Sequence, residues 1–500
     1  MKKYKLLFLV VFAIFTSACN EWLTVNPEEE ISEDLLFENG EGFRNALNGV
    51  YRTIGSSNLY GRELSYGLIA YLAQEFDGTK TYIHAYRTAV GYEYKYDRLQ
   101  TVVDAIWVNA YNAIANCNNI IANIQQTDSM KFYKRSLEKA LIHGEALGLR
   151  AMLHFDLLRM FAASPVDNSG AKWIPYVDVY PVMFPPKLTM KETFERIVKD
   201  LKEARELVAN YDTLYMPSSV GYRLEYMGGN SNDDRFFGHR GYRLNYYAIT
   251  ALLARVYLYA GNLDEAYNEA YRLLKTDKGS TRFKFTSSSY DMKNGKIKLY
   301  DDVIYAGYNA KLGDIERQVN ESGSGNYSTR LALQPDGANV IFKNEVGDYR
   351  YRYQIEVPVD EHGEPLKNGD RVLIKYREQS SDKSKGKYNT KMIPMLRLSE
   401  MYYILAETMY KKAASDAEKQ KAWSYLEYIR NVRGLSSTPP TPTESSFMDL
   451  LYNEMQREFL GDGQMFFQFK RLKRPIPLKD GAELNLGTNF IVPIPDSENI

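Results

Sequence analysis

Residues 244–275, LNYYAITALLARVYLYAGNLDEAYNEAYRLLK, contain the clearest structural pattern in the chain. Apolar residues recur at helical spacing through the first half, and the pattern breaks at Gly261 and Asn262. A second helical pattern follows, with small residues at Ala266 and Ala270. Because small residues allow two antiparallel helices to approach closely, this stretch predicts a helical hairpin.

Other stretches repeat this helical spacing. Residues 396–434 form a second pair of helical patterns, and residues 137–158 carry one long apolar face. Thr189 followed by Glu192 is typical of a capping box that opens a further helix. The paired layout resembles a tetratricopeptide repeat, although no strict repeat of about 34 residues is present. We therefore expect a mainly α-helical scaffold of divergent helix pairs.

Long segments without helical spacing separate these patterns. They are residues 60–98, 164–188, 211–243 and, above all, 277–394. Connections in a plain helical repeat are much shorter, and long ordered loops on a rigid scaffold commonly carry function. The chain is therefore predicted to combine its helical scaffold with a large, irregular, loop-rich lobe.

The N-terminus has the features of an export signal. Basic residues precede an apolar run, residues 6–15, that is too short to span a bilayer. The run ends in TSAC, residues 16–19, which resembles the lipobox of bacterial lipoproteins. Residues 1–18 are therefore predicted to be a signal peptide, and Cys19 to be the lipidated first residue of the mature chain. Cleavage that leaves Cys19 unmodified is the alternative.

The composition argues against some partners and favours one kind of surface. Lys plus Arg and Asp plus Glu both number 63, so no net charge draws the chain to nucleic acid, and no nucleic-acid partner is predicted. The chain has 41 tyrosines and only 4 tryptophans. Tyrosine rings can pack on one side and hydrogen-bond on the other, which suits ligand contact as well as ordinary helix packing.

The sequence lacks the local motifs of nucleophilic, zinc, phosphate-binding and dinucleotide-binding enzymes. His143 and His154 can share a helical face, but two imidazoles alone do not define a metal site. Asn230, Asn232 and Asp234 alternate as in a calcium loop, yet the expected glycine and glutamate of that loop are missing. We predict no catalytic residue, metal or cofactor. A pair of catalytic carboxylates, as in a glycosidase, remains an alternative, because the fold brings such residues together whatever their spacing in the sequence.

Four segments, in order along the chain, resemble one family. They are GEALGLRAMLHFDLLRMF (144–161), LLARVYLYAG (252–261), LRLSEMYYILAE (396–407) and EMQREFLGDGQMFFQFKR (454–471). These segments resemble the hallmark helices of the SusD/RagB family, outer-membrane nutrient-uptake lipoproteins of Bacteroidetes. Asp462 stands where the family usually has Glu, a departure that concerns the subgroup more than the family.

The resemblance implies four tetratricopeptide-like helix pairs that support an irregular lobe. It divides the chain into a lipidated segment (19–40), an N-terminal helical region (41–276), a variable insertion lobe (277–395) and a C-terminal helical region (396–500). It further implies a lipid-anchored protein of the outer membrane, facing the cell exterior, that works with a TonB-dependent, SusC-like transporter.

Family resemblance also implies the kind of ligand. The best-known members bind a glycan or oligosaccharide without cleaving it, while the RagB branch is associated with peptides. An uptake lipoprotein for a glycan is therefore favoured, with a peptide-binding RagB-like protein as the first alternative. A surface-tethered hydrolase, which would release products, and a structural repeat adaptor, which would bind only protein, are the others.

In this family, ligand contacts come mainly from the loops before the first long helix and from the middle insertion. The corresponding segments here are residues 77–98 and 301–330. The candidate ligand-binding residues are Asp77, Tyr82, His84, Tyr86 and Arg87 in the first segment, and Tyr305, Tyr308, Asn309 and Tyr327 in the second. Aromatic planes suit the apolar face of a sugar, and Asp, Asn and Arg suit its hydroxyls. The alternative for Tyr305 is a strand or core position.

Overall fold

The structure is a computed structural model that describes residues 32–167, 170–181, 185–224, 236–274, 282–320, 330–334, 336–343, 345–359, 370–378, 391–435 and 444–498. Helices dominate these ranges, which confirms the predicted fold class. The helices are α1 (Glu33–Leu36), α2 (Gly40–Ile54), α3 (Leu68–Leu72), α4 (His84–Ala89), α5 (Asp97–Gln126), α6 (Arg135–Phe161), α7 (Met190–Tyr215), α8 (Val220–Leu224), α9 (Tyr246–Tyr259), α10 (Leu263–Leu274), α11 (Ser289–Lys293), α12 (Leu312–Asn320), α13 (Gly337–Phe342), α14 (Tyr349–Gln354), α15 (Leu398–Lys412), α16 (Asp416–Val432), α17 (Glu444–Phe459) and α18 (Met465–Leu472).

The described strands form two-stranded antiparallel ladders. The ladders are β1 (Lys172–Pro175) with β2 (Lys187–Thr189), β3 (Val303–Tyr308) with β6 (Met392–Arg397), β4 (Ile355–Glu356) with β5 (Val372–Leu373), and β7 (Ile476–Pro477) with β8 (Glu483–Leu484). The β3–β6 ladder pairs Tyr308 with Met392 and Val303 with Arg397. It therefore joins a strand inside the predicted insertion to the junction with the C-terminal helical region.

The predicted helical hairpin is present as α9 and α10. Asn245 caps α9, because its side-chain oxygen accepts hydrogen bonds from the amides of Tyr247 and Ala248. Gly261 turns the chain between the two helices with a φ of +81°, a conformation that glycine adopts without strain. The second predicted hairpin is present as α15 and α16.

The long helices α6 and α7 pack closely because α6 carries glycine at their contact. A Cβ atom on Gly144 would lie 2.7 Å from a methyl carbon of Val208 and 2.9 Å from the backbone oxygen of Ala204. The capping box at the start of α7 is also as predicted, since Thr189 and Glu192 exchange hydrogen bonds. One apolar core runs from these helices into the C-terminal helices.

Glu75 is a buried carboxyl group between the first predicted binding segment and the C-terminal helices. One of its oxygens accepts a hydrogen bond of 2.8 Å from the amide of Gly461, and the other has no hydrogen-bond partner among the residues that the structure describes. Burial, helped by the nearby Asp462, raises the pKa of Glu75 to about 8 from an ordinary 4.5. The group is therefore protonated in the folded protein at neutral pH.

We expect Glu75→Gln to become more stabilising, relative to the parent chain, as the pH rises from about 5 to about 8. The unfolded chain ionises Glu75 near pH 4.5 and the folded chain only near pH 8, so the parent loses stability across that window. Glutamine removes this loss. Urea unfolding midpoints at about pH 5, 7 and 9 measure the effect, with the exposed Glu206→Gln as the control. If the difference in unfolding midpoint between Glu75→Gln and the parent does not change with pH, the raised pKa of Glu75 is wrong.

Candidate ligand-binding site

Asp77 has a structural role in the first predicted segment. Its carboxylate accepts hydrogen bonds from the amide and the hydroxyl of Thr79, at 2.8 and 2.7 Å, and so caps a short 3-10 turn. Its own amide donates to the carbonyl of Ala332 at 2.9 Å. Asp77 is buried, and its contact with a ligand stays a prediction.

Beyond this turn, three exposed residues follow: Tyr82 just before α4, His84 at its first position and Arg87 in its last turn. The Arg87 guanidinium lies 5.1 Å from the centre of the Tyr82 ring, within the range of a cation–π contact. Its Nε donates a hydrogen bond of 2.5 Å to the carbonyl of Thr81, which holds the guanidinium in place. These three side chains form an aromatic and polar patch that we call the Tyr82 surface.

Two of the predicted tyrosines are core residues. Tyr86 is fully buried, donates its hydroxyl to Glu63 at 3.0 Å and stacks on Tyr71 with ring centres 4.6 Å apart. Tyr305 is fully buried in β3, as the strand alternative required. Neither ring reaches the surface, so the structure does not support them as contact residues and we leave both out of the proposed site.

The structure joins the first predicted segment to the end of the second. Arg330 donates its amide to the carbonyl of Lys80 at 3.0 Å, and Phe76 pairs with Leu333 in an isolated antiparallel bridge. The Lys80 ammonium also lies 3.2 Å from Asp370. Lys80 and Asp370 could not be recognised from the sequence, because nothing local links residues so far apart in the chain.

Two predicted residues of the second segment, Tyr308 and Asn309, line a separate cleft. Tyr308 is half exposed, and its ring meets that of Tyr242 edge to face with centres 5.5 Å apart. Asn309 donates to the carbonyl of Gly55 at 2.7 Å and accepts from the amide of Lys311 at 2.8 Å. The cleft has a volume of about 850 Å³, and we call it the Tyr308 cleft.

The walls of the Tyr308 cleft come from elements that are far apart in sequence. They include Asn48, Tyr51 and Arg52 of α2, His239, Tyr242 and Arg243 before α9, and Lys311 and Lys391 beside the β3–β6 ladder. Arg243 is held by a hydrogen bond of 2.6 Å to Asn48 and lies over the Tyr51 ring at 4.8 Å. Burial and the adjacent Glu145 raise the pKa of Tyr51, whose hydroxyl donates to that carboxylate at 2.7 Å.

Several candidates fall outside the described residues: Cys19, Tyr327, Asn230, Asn232 and Asp234. Within the described residues, no group of three or more His, Cys, Asp or Glu side chains is arranged to hold a metal ion.

His154 has a structural role. Its Nε2 accepts a hydrogen bond of 3.0 Å from the amide of Val177, and its Nδ1 lies 2.9 Å from the carbonyl of Arg150. This arrangement fits the neutral ring with the proton on Nδ1. Burial lowers its pKa to about 3.

Comparison with known families gives two matches along the chain. Residues 21–220 match a family model described as SusD-like, starch-binding associating with the outer membrane. Residues 250–490 match the model of the SusD family, SusD/RagB. No helix in the described ranges combines the length and apolarity needed to cross a bilayer.

Individual proteins show the same relationship over nearly the whole chain. SusD-like protein P2 of Formosa agariphila is 23% identical, and the match covers 99% of this chain and 94% of that protein. A SusD superfamily protein of Bacteroides thetaiotaomicron superposes with a TM-score of 0.69 at 22% identity, over 92% of this chain and 97% of its own. A SusD-like carbohydrate binding protein of Bacteroides vulgatus superposes with a TM-score of 0.67 at 17% identity. That match covers 92% of this chain and 96% of the other protein's chain.

The two family matches lie in order along the chain, and the fold agrees with solved structures of the superfamily. The chain belongs to the SusD/RagB family. Membership of this family indicates a nutrient-binding protein that associates with the outer membrane.

Proposed function

We propose that the protein is a lipid-anchored surface protein that captures an oligosaccharide, without cleaving it, and delivers it to a TonB-dependent outer-membrane transporter. The observation that carries the proposal is the Tyr82 surface, an exposed ring just before α4 beside a cation on that helix. It lies in the segment where the family resemblance implies ligand contacts. The matched descriptions, starch-binding and carbohydrate binding, support a sugar as the ligand class.

The Tyr82 surface suits a sugar for chemical reasons. An aromatic face can cover the apolar face of a pyranose ring, while a guanidinium and an imidazole can bond the hydroxyls at its rim. Arg87 is held by Thr81 and by the Tyr82 ring before any ligand arrives. Such preorganisation lowers the entropy lost on binding. Asp77 caps the 3-10 turn that precedes Tyr82, and so it helps to fix the backbone of this segment.

We expect Tyr82→Ala to weaken binding of the cognate oligosaccharide roughly five-fold or more, with little loss of stability. One aromatic contact contributes on the order of 1 kcal/mol beyond buried area. Calorimetric titration measures the change. Tyr290→Ala removes a ring that is more exposed than Tyr82, 75% against 37%, from the short helix α11, and serves as the control.

Parent-like affinity in folded Tyr82→Ala would remove the Tyr82 surface from the proposal. Binding of peptides, but of no saccharide, would favour the RagB-like alternative. Delivery is tested in native membranes, from which a β-barrel transporter should co-purify with the protein. Its absence would remove the transporter half of the proposal.

A further inference from the structure

The Tyr308 cleft is positively charged. Its described lining includes the cations Arg52, Arg243, Lys311 and Lys391 and no carboxylate. Arg52, Lys311 and Lys391 are exposed, and none of them forms an ion pair with a carboxylate in the ranges that the structure describes. A concave surface lined by one sign of charge concentrates ligands of the opposite sign.

Buried carboxylates behind the wall do not cancel this charge. Arg243 lies 3.5 Å from Glu145, but Glu145 also pairs with Arg240, which in turn pairs with Asp212. These two carboxylates therefore balance the two arginines, Arg240 and Arg243. Among the described residues, no carboxylate pairs with the other three cations, Arg52, Lys311 and Lys391.

The same cleft offers an aromatic surface. Tyr308 meets Tyr242 edge to face, both residues line the cleft, and the Tyr308 side chain is about half exposed. Asn309 is fixed by its bond to Gly55. The volume of about 850 Å³ lies within the range of roughly 300–1,000 Å³ that is usual for ligand pockets.

We propose that the Tyr308 cleft is a second saccharide site, selective for sugars that carry carboxylate or sulfate groups. The cations bind the anionic groups, and the tyrosines pack against the sugar ring. The inference rests on the proposed capture of saccharides and names the ligand class of this cleft. It is distinct from the Tyr82 surface, because no residue of the segment 77–98 is among the described residues that line the cleft.

Calorimetric titration with tetragalacturonate, a chondroitin sulfate tetrasaccharide and neutral maltotetraose tests this inference. The parent protein should bind at least one of the two acidic probes at the cleft, and added salt should weaken that binding. Replacing both Lys311→Gln and Lys391→Gln should weaken it by about ten-fold or more, since two charged contacts are lost. Tyr308→Ala should weaken it roughly five-fold.

The matched control is the double variant Lys202→Gln and Lys421→Gln, which removes two exposed helical lysines outside the cleft lining and changes the net charge equally. It should bind the acidic probe like the parent. The inference is overturned if the Lys311 and Lys391 double variant also binds like the parent, or if sodium sulfate alone binds as tightly as the sulfated saccharide. Neutral binding that is lost in Tyr82→Ala, without any acidic binding, would overturn this inference alone and leave the proposed function standing.

Discussion

Glu458→Ala is expected to lower the free energy of unfolding by about 3–5 kcal/mol. Glu458 is fully buried and accepts hydrogen bonds from Arg350 at 2.9 Å, from Arg433 at 2.7 and 3.0 Å, and from Arg397. Although burial opposes ionisation, Arg433 and Arg397 hold the pKa of Glu458 well below its ordinary value. Alanine would leave three buried guanidinium groups without this charge.

This residue is the centre of a larger buried charge network. Its cations are Arg350, Lys375, Arg397, Arg430, Arg433 and Arg457, and its carboxylates are Asp302, Glu345, Asp348, Glu454, Glu458 and Asp462. The two sets are equal in number. The network joins α14 and the turn before β3, both in the insertion, to the C-terminal helices α16 and α17.

Urea unfolding followed by circular dichroism measures the loss. Glu206→Ala, on the exposed face of α7, is the control and should change stability by no more than about 0.5 kcal/mol. Glu458→Gln keeps the side-chain shape, so it tests the charge separately and should also destabilise strongly. A loss below about 1 kcal/mol in Glu458→Ala would contradict a central role for this carboxylate.

Cys19→Ser should release the protein from membranes into the soluble fraction. Lipid chains contribute about 0.8 kcal/mol for each buried methylene group, and more than one chain gives stable anchoring. Serine removes the thiol that would be acylated. Detergent-free fractionation measures the change, and Cys117→Ala, at a buried position in α5, should stay with the membranes.

A Cys19→Ser variant that stays with the membranes would contradict the anchor. Mass spectrometry of the parent chain gives an independent check, because an unmodified Cys19 is incompatible with it. Protease shaving of intact cells then tests whether the anchored protein faces outward.

The helical scaffold could be predicted because its signals are local. The hairpin of α9 and α10 follows from apolar spacing interrupted at Gly261, and the start of α7 follows from Thr189 and Glu192. Each signal lies within a few residues of the structure it specifies. The burial of Tyr86 could not be predicted in this way, because its partner Glu63 lies outside its own helix.

The candidate sites depend on contacts between distant segments. Tyr308 lies beside Lys391 only because the β3–β6 ladder pairs Tyr308 with Met392 across the insertion. A strand's register is not readable from its own sequence, and because every residue of β3 before Tyr308 is buried, alternation along the strand does not mark Tyr308 as the exposed ring. The family segment 454–471 was recognisable, but the sequence did not show that Glu454 and Glu458 hold buried arginines.

Asp462 shows how a departure from the family pattern is accommodated. Its carboxylate accepts hydrogen bonds of 2.6 Å from Lys375 and from Arg397, and one of 3.1 Å from the Tyr376 hydroxyl. Although aspartate is shorter than glutamate, its carboxylate therefore still pairs with two cations of the charge network. Its position between the insertion and the C-terminal helices was not visible in the sequence.

Capture without cleavage is tested most directly by titrating the purified protein with a set of neutral and acidic oligosaccharides, and by chromatography of the same mixtures afterwards. We expect saturable binding of at least one saccharide and its full recovery at the original length. Steady accumulation of shorter products from a bound saccharide, abolished by replacing a single carboxylate, would contradict the proposal and show a hydrolase.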